Sequence, residues 1–221
     1  MTKLMLALWG ADHAALREAA LRTDLAAAGV RRLQLNLDDA DVAPAMRIPT
    51  DEPISAVVST WTEGDPAAVP ALLAGAADRV AGWSVDERRR LDPPEVADGE
   101  RADTLANVAV LRKPAELETA EWMRRWMVDH TPIAIRTQAT FGYLQNVVVE
   151  PVTPDAPYVS AFVEELFPSA GMTDMHAFYG SGGDDAELGR RLELLMGSVA
   201  RIGADRNLDL VPTSRYTYAL G

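Results

Sequence analysis

The sequence predicts an α+β protein built from two tandem ferredoxin-like βαββαβ units, packed together as a barrel-like pseudo-dimer. Three observations point there. Short apolar or alternating runs bounded by Gly or Pro recur between Ala- and Leu-rich stretches of helical spacing. A polar, proline-containing segment at residues 92–104, DPPEVADGERADT, divides two such series. The order β-α-β-β-α-β is legible on each side of it. A four-stranded sheet with helices on one face leaves the other face bare, and two bare faces can cover each other. The expected units are therefore residues 1–91 and 105–221, joined by linker 92–104, with one polypeptide supplying both halves.

In the first unit, residues 3–9 (KLMLALW) form a strand ended by Gly10. A helix over residues 13–28 has Asp12 as N-cap and Gly29 just past its end. Val30 to Leu37 alternate as a half-buried strand does, with Leu33, Leu35 and Leu37 on one face and Arg32, Gln34 and Asn36 on the other. Residues 38–53 hold acids and prolines and form a loop. Ile54 to Trp61 make the third strand. Asp65-Pro66 opens a second helix reaching Val80. Gly82 to Leu91 closes the unit as an edge strand whose Arg88-Arg89-Arg90 end is solvated.

The pattern then restarts. Asn107 to Leu111 form a strand and residues 116–130 a helix, limited by Thr131-Pro132 because a residue before proline avoids the helical basin. Tyr143 to Glu150 form a strand, residues 158–167 an inserted short helix, and Met175 to Tyr179 another strand. GSGGDD at 180–185 is a solvated turn into a helix from Asp185 to Ile202, and Leu210 to Leu220 closes the unit. Leu33-Gln34 and Leu144-Gln145 echo each other in the second strand of each unit.

Composition excludes several function classes. The net charge is −12 without any basic stripe, so nucleic acid and anionic membranes are not expected partners. There is no cysteine, which removes disulfides, thiolate nucleophiles and zinc–thiolate sites. No apolar stretch approaches the roughly 20 residues of a membrane span, and the start lacks a cleavage-site pattern, so a cytoplasmic location is expected. The three histidines, His13, His130 and His176, are not paired at metal-ligand spacing, and no metal site is expected. GSGGDD lacks the Lys-Ser/Thr ending of a P-loop.

The chemistry-bearing residues lie late in the chain. All five tyrosines and all four phenylalanines follow residue 140, and large flat side chains line small-molecule pockets. On the helix over 116–130, Trp122, Trp126 and His130 stand at i, i+4 and i+8 along one stripe, widened by Met123 and Met127. His130 is either an acid/base facing a cavity or a helix-capping histidine packed beside Trp126. On strand 143–150 one face carries Tyr143, Gln145 and Val147, the other Leu144, Asn146 and Val148; whichever points inward offers Gln145 or Asn146 to a substrate oxygen. Read as a strand, residues 175–179 put His176 and Phe178 on one face, within reach of the same cavity.

Asn107-Val-Ala-Val-Leu-Arg-Lys-Pro114, then Trp122-x-x-x-Trp126-x-x-x-His130-Thr-Pro132, then Tyr143-Leu-Gln-Asn146 is similar to the EthD domain, a family of the dimeric α+β-barrel superfamily. Phe178-Tyr179 and Val211-Pro212-Thr213-Ser214 also suit it. The likeness spans roughly residues 105–220; the first unit resembles a diverged copy without the aromatic–Trp–His helix. The superfamily includes cofactor-independent monooxygenases, isomerases, decarboxylases and cyclases of aromatic or polyketide-like compounds, as well as haem-using enzymes. The resemblance implies an oxidoreductase-type enzyme acting on an aromatic or polyketide-like small molecule, with no tightly bound cofactor. His130 is the expected acid/base; Trp122, Trp126, Tyr143, Asn146, His176 and Phe178 are the expected substrate-binding residues. A decarboxylase or cyclase, or a non-catalytic binding protein, are the alternatives. A plain scaffold would leave no cavity of roughly 300 Å3 or more. One site per chain is expected, after residue 105; self-association beyond the intrachain pseudo-dimer is left open.

Overall fold

The computed structural model describes all of residues 1–221. Eight strands, β1 (Thr2–Trp9), β2 (Val30–Leu37), β3 (Ala56–Thr62), β4 (Arg79–Leu91), β5 (Leu105–Leu111), β6 (Gly142–Pro151), β7 (Ala161–Phe167) and β8 (Leu208–Ala219), form a closed barrel in the order β1-β3-β2-β8-β5-β7-β6-β4. Every pairing is antiparallel. Each half has the same internal order, β4-β1-β3-β2 and β8-β5-β7-β6. The second strand of each half pairs with the fourth strand of the other, β2 with β8 and β6 with β4, so the halves are related as two subunits of a dimer would be. Closure removes all sheet edges.

Strand alternation sends one set of side chains into the barrel and the other toward an outer helical layer. In the first half Leu4, Leu6, Leu8, Leu33, Leu35 and Leu37 face outward and pack against Leu16 of α1 (His13–Leu16), Leu25 of α2 (Ala19–Ala27) and Val69 and Leu73 of α3 (Ala68–Leu73). The helix expected over 13–28 is interrupted at Arg17-Glu18, while its ends were read correctly: the Asp12 carboxylate accepts from the Ala14 and Ala15 N–H groups at 2.9 and 3.1 Å. The helix expected to reach Val80 ends instead at Leu73, followed by a 3-10 turn, because β4 starts at Arg79.

The barrel interior is divided. One end is apolar, with Met5, Val57, Val108, Val110 and Val211 around Trp83 and Phe162, whose rings lie 5.3 Å apart. The rest is a buried polar network. Glu164 and Arg215, 2% and 3% exposed, pair at 2.9 Å. Gln34 and Asn36 each donate to Glu164 at 3.0 Å, and Lys3 pairs with Glu87 and donates to Asn146 at 2.7 Å. The polar face of β2 therefore points into the barrel, not into water. Gln34 lies on this inner face and Gln145 on the outer, helix-side face, so the Leu-Gln echo is out of register and carries no structural equivalence.

Three expectations in the second half are corrected. Residues 161–167 are a strand, β7, and not a helix; both of its faces are buried, so the polar–apolar alternation that marks a strand is missing. Residues 175–179 are α6 (Met175–Tyr179), one helical turn capped by the Asp174 carboxylate and closed by Gly180 at φ 64°, where glycine takes the left-handed conformation without strain. The helix through Trp122 does not stop at Thr131-Pro132. It runs from α4 (Thr119–Arg124) through a π-helical turn at Arg125–His130 into α5 (Thr131–Thr137). Both the N–H and the hydroxyl of Thr131 donate to the Trp126 carbonyl, the i to i+5 pattern of a π turn, and Pro132 falls in the first turn of α5, where a proline is tolerated. No helix is long and apolar enough to cross a membrane.

Candidate functional site

The outer face of the second-half sheet is covered by the π-helical segment and by α7 (Asp185–Arg201), which the Asp184 carboxylate caps. Between sheet and helices lies a cavity of about 280 Å3 lined mostly by apolar side chains. It adjoins a second hollow of about 360 Å3, and Met46, Phe178 and Leu210 border both. Met46 and Ile48 come from the 38–53 loop of the first half, whose Val42 and Ala45 are buried in the second-half core. The cavity is thus walled mainly by residues after 105, where the aromatics lie, and is roofed by the other half.

Four of the expected residues line this cavity: Trp126, His130, Tyr143 and Phe178. Trp126 and His130, four residues apart, share the cavity-facing side of the π turn. Phe178 stacks on Phe167 at 4.1 Å and meets Tyr179 edge-on. The other three lie elsewhere. Trp122 packs on Trp126 with the rings tilted and 5.1 Å apart, donates to the Ile202 carbonyl and borders a separate cleft of about 510 Å3. Asn146 points into the barrel, held by Lys3, because Tyr143, Gln145 and Val147 are the helix-side face of β6. His176 sits on α6 rather than on a strand, against Ser181 at 2.6 Å with Asp185 at 3.3 Å, outside the cavity lining.

His130 is a poor proton acceptor here. It is 8% exposed, with Nδ1 3.0 Å from the Ser198 hydroxyl. Burial, reinforced by the nearby Arg201 charge, lowers its pKa to about 4, so the imidazole is neutral at neutral pH. The group with tuned acidity is one the sequence reading missed, Glu165 on β7. Its register neighbours are Tyr143 and Asn107. Burial raises its pKa to about 7, and its Oε1 is buried without a hydrogen-bond partner. The phenols of Tyr143 and Tyr179 are pushed above their usual range, first by burial and then by the Glu165 charge. The indole N–H of Trp126 is likewise buried without an acceptor. The cavity therefore presents one unpaired donor and one unpaired carboxyl oxygen on apolar walls, and a carboxyl near 7 suits proton transfer at neutral pH. A signal for Glu165 was present: in AFVEELF two adjacent acids sit inside an apolar strand-length run, and alternation must place them on opposite faces, one in the barrel and one on the helix side.

The first half reaches this site a second time. Arg90 donates to the Gln145 side-chain carbonyl at 2.7 Å, Gln145 to the Thr131 hydroxyl at 2.9 Å, and Thr131 to the Trp126 carbonyl at 2.9 Å. The arginine triplet is solvated, as expected, all three residues being exposed, yet two of them also make contacts: Arg90 anchors the π turn through Gln145, and Arg89 lies at the barrel mouth. No group of three or more His, Asp or Glu side chains converges as a metal ion would require.

No family model and no curated protein matches the chain. Solved structures do. The chain superposes over its full length on 94% of an anthrone oxidase-like protein, with a TM-score of 0.60 at 7% identity. It also superposes over its full length on 95% of a candidate monooxygenase from Fusobacterium nucleatum subsp. nucleatum, with a TM-score of 0.53 at 9% identity. These likenesses establish the fold: a dimeric α+β barrel with both halves in one polypeptide.

Proposed function

We propose that this chain is an EthD-like small-molecule oxidoreductase that oxidises an aromatic or polyketide-like compound without a tightly bound cofactor. One observation carries the proposal: a carboxyl group with its pKa raised to about 7 and an unpartnered oxygen, set in an apolar cavity between two tyrosines. In this reading Glu165 takes a proton from a methylene conjugated with a carbonyl through the aromatic rings, and the Trp126 N–H donates to the carbonyl oxygen on which negative charge develops. Dioxygen accepts the electrons. One of its atoms becomes the new carbonyl oxygen; the other leaves as water with the two hydrogens of the former methylene. His130 orients the helix wall through Ser198 rather than moving the proton. The fold shared with an anthrone oxidase-like protein agrees with such a substrate.

The test is oxygen uptake with anthrone. Wild type should exceed the spontaneous rate with an activity that rises as pH passes through about 7, and Glu165→Gln should lose on the order of 100-fold or more in kcat. Equal uptake by the variant would overturn the assignment. Product formation under argon would favour the cyclase or decarboxylase alternative, which can use the same proton abstraction.

A further inference from the structure

A further hollow lies at the polar end of the barrel interior, away from the helix-side cavity. It measures about 650 Å3 and is walled by Arg32 of β2, Arg89 of β4 and Arg215 and Thr217 of β8. Alternation aims these side chains inward, where they join Lys3, Glu87 and Glu164. Counting those groups, four cations face two carboxylates in a chain whose net charge is −12.

The cations are not equally satisfied. Arg215 is held by Glu164, and Lys3 by Glu87 and Asn146. Arg89 reaches Glu87 at 3.3 Å and Asp92 at 3.0 Å. Arg32 has no carboxylate and no hydrogen-bond acceptor; its guanidinium rests on the Trp61 ring, 4.5 Å from the centroid, with the Lys3 ammonium 4.6 Å from the same ring. Burial and the charges of Arg215 and Arg89 disfavour its charged form. The remaining charged groups on the rim are Arg31, paired with Glu63, and Asp92, Glu95 and Asp98 of the segment that follows β4. Those three acids are exposed, as is Arg89, so water screens them, whereas Arg32 is half-buried and Arg215 buried.

We propose that this barrel mouth is a binding site for a small oxyanion, a carboxylate or phosphate group seated between Arg32 and Arg89 beneath residues 92–98. A guanidinium fork matches either group in bidentate fashion, and Arg32 is the donor left free to supply it. Trp61 beneath Arg32 would report occupancy. The site is independent of the Glu165 cavity.

The experiment is a fluorescence titration of the full chain with inorganic phosphate and, separately, with malonate, against potassium chloride at matched ionic strength. A saturable change with one or both anions is expected, lost in Trp61→Phe. Arg32→Gln should weaken the apparent Kd at least tenfold, and Arg32→Lys less. Saturation by phosphate alone would assign a phosphate ester, and by malonate alone a carboxylate. No response beyond the chloride control, or equal affinity in Arg32→Gln, would overturn the proposal. Thermal unfolding guards against a folding artefact: without added anion Arg32→Gln should unfold at the same or a higher temperature than wild type, because it removes an uncompensated charge. The same anions should raise the midpoint for wild type only; an equal rise in the variant would also refute the site.

Discussion

Glu165 and His130 share one cavity and pull the pH dependence of stability in opposite directions, which makes them separable. Burial raises the Glu165 pKa from 4.5 to about 7. The folded state therefore binds the proton more tightly than the unfolded state. Stability is highest below pH 4.5, falls as pH rises from 4.5 toward 7, and stays reduced above that. A shift of about 2.5 units at 1.36 kcal/mol each costs about 3 kcal/mol. His130 moves the other way, from 6.5 to about 4, again mainly through burial. Its contribution is fully present above pH 6.5 and is lost as pH falls toward 4, again about 3 kcal/mol. Between pH 4.5 and 6.5 the two slopes offset each other, and wild type should be nearly flat as far as these groups decide. Glu165→Gln leaves only the His130 slope. Urea unfolding at pH 4 to 8 should show the variant gaining about 3 kcal/mol relative to wild type as pH rises across that range. The new amide shifts the whole curve but not its slope. Parallel curves for the two proteins would refute a raised Glu165 pKa.

Other outcomes follow from individual contacts. Trp126→Phe removes a donor that has no partner in the protein, so the stability cost should be only that of the void left by the smaller ring, about 1–2 kcal/mol, while kcat/KM for anthrone drops about tenfold, the worth of one hydrogen bond made in the transition state. Glu164→Gln strands the buried Arg215 guanidinium and should cost about 3–5 kcal/mol by denaturant titration. Thr131→Val breaks the hydroxyl links to Trp126 and Gln145; about 1–3 kcal/mol of stability should be lost, and kcat should fall with it if the π turn positions the indole. Met46→Ala opens the first-half roof of the cavity, so KM should rise several-fold with kcat held, measurable in the same oxygen-uptake assay.

Much of the architecture was legible because it rests on local rules. Asp12 and Gly29 mark helix ends by capping, and Leu33, Leu35 and Leu37 mark one face of β2. What escaped detection is where the barrel overrides those rules. Glu164, Glu165, Gln34 and Lys3 are polar residues on interior faces, satisfied or tuned by partners far away in sequence, so β7 did not alternate as a strand with one wet face does. MHAFY read as a strand from its aromatics, although the Asp174 cap and Gly180 were there to mark a helical turn. Of the aromatic–histidine stripe, Trp126 and His130 line the cavity and Trp122 does not; its histidine is neutral and hydrogen-bonded, and the acid that replaces it as the candidate base sits across the cavity on the sheet. Asn146 was misplaced because face assignment on β6 depends on closure with β4, which no local signal encodes.

The most direct measurement is the ionisation of Glu165 itself, followed by carbon-13 NMR of glutamate-labelled protein with the resonance assigned by its absence in Glu165→Gln. A side-chain carboxyl titrating at about 7 is the expected result. Titration at the ordinary glutamate value of 4.5 would contradict a cavity carboxyl poised to move a proton.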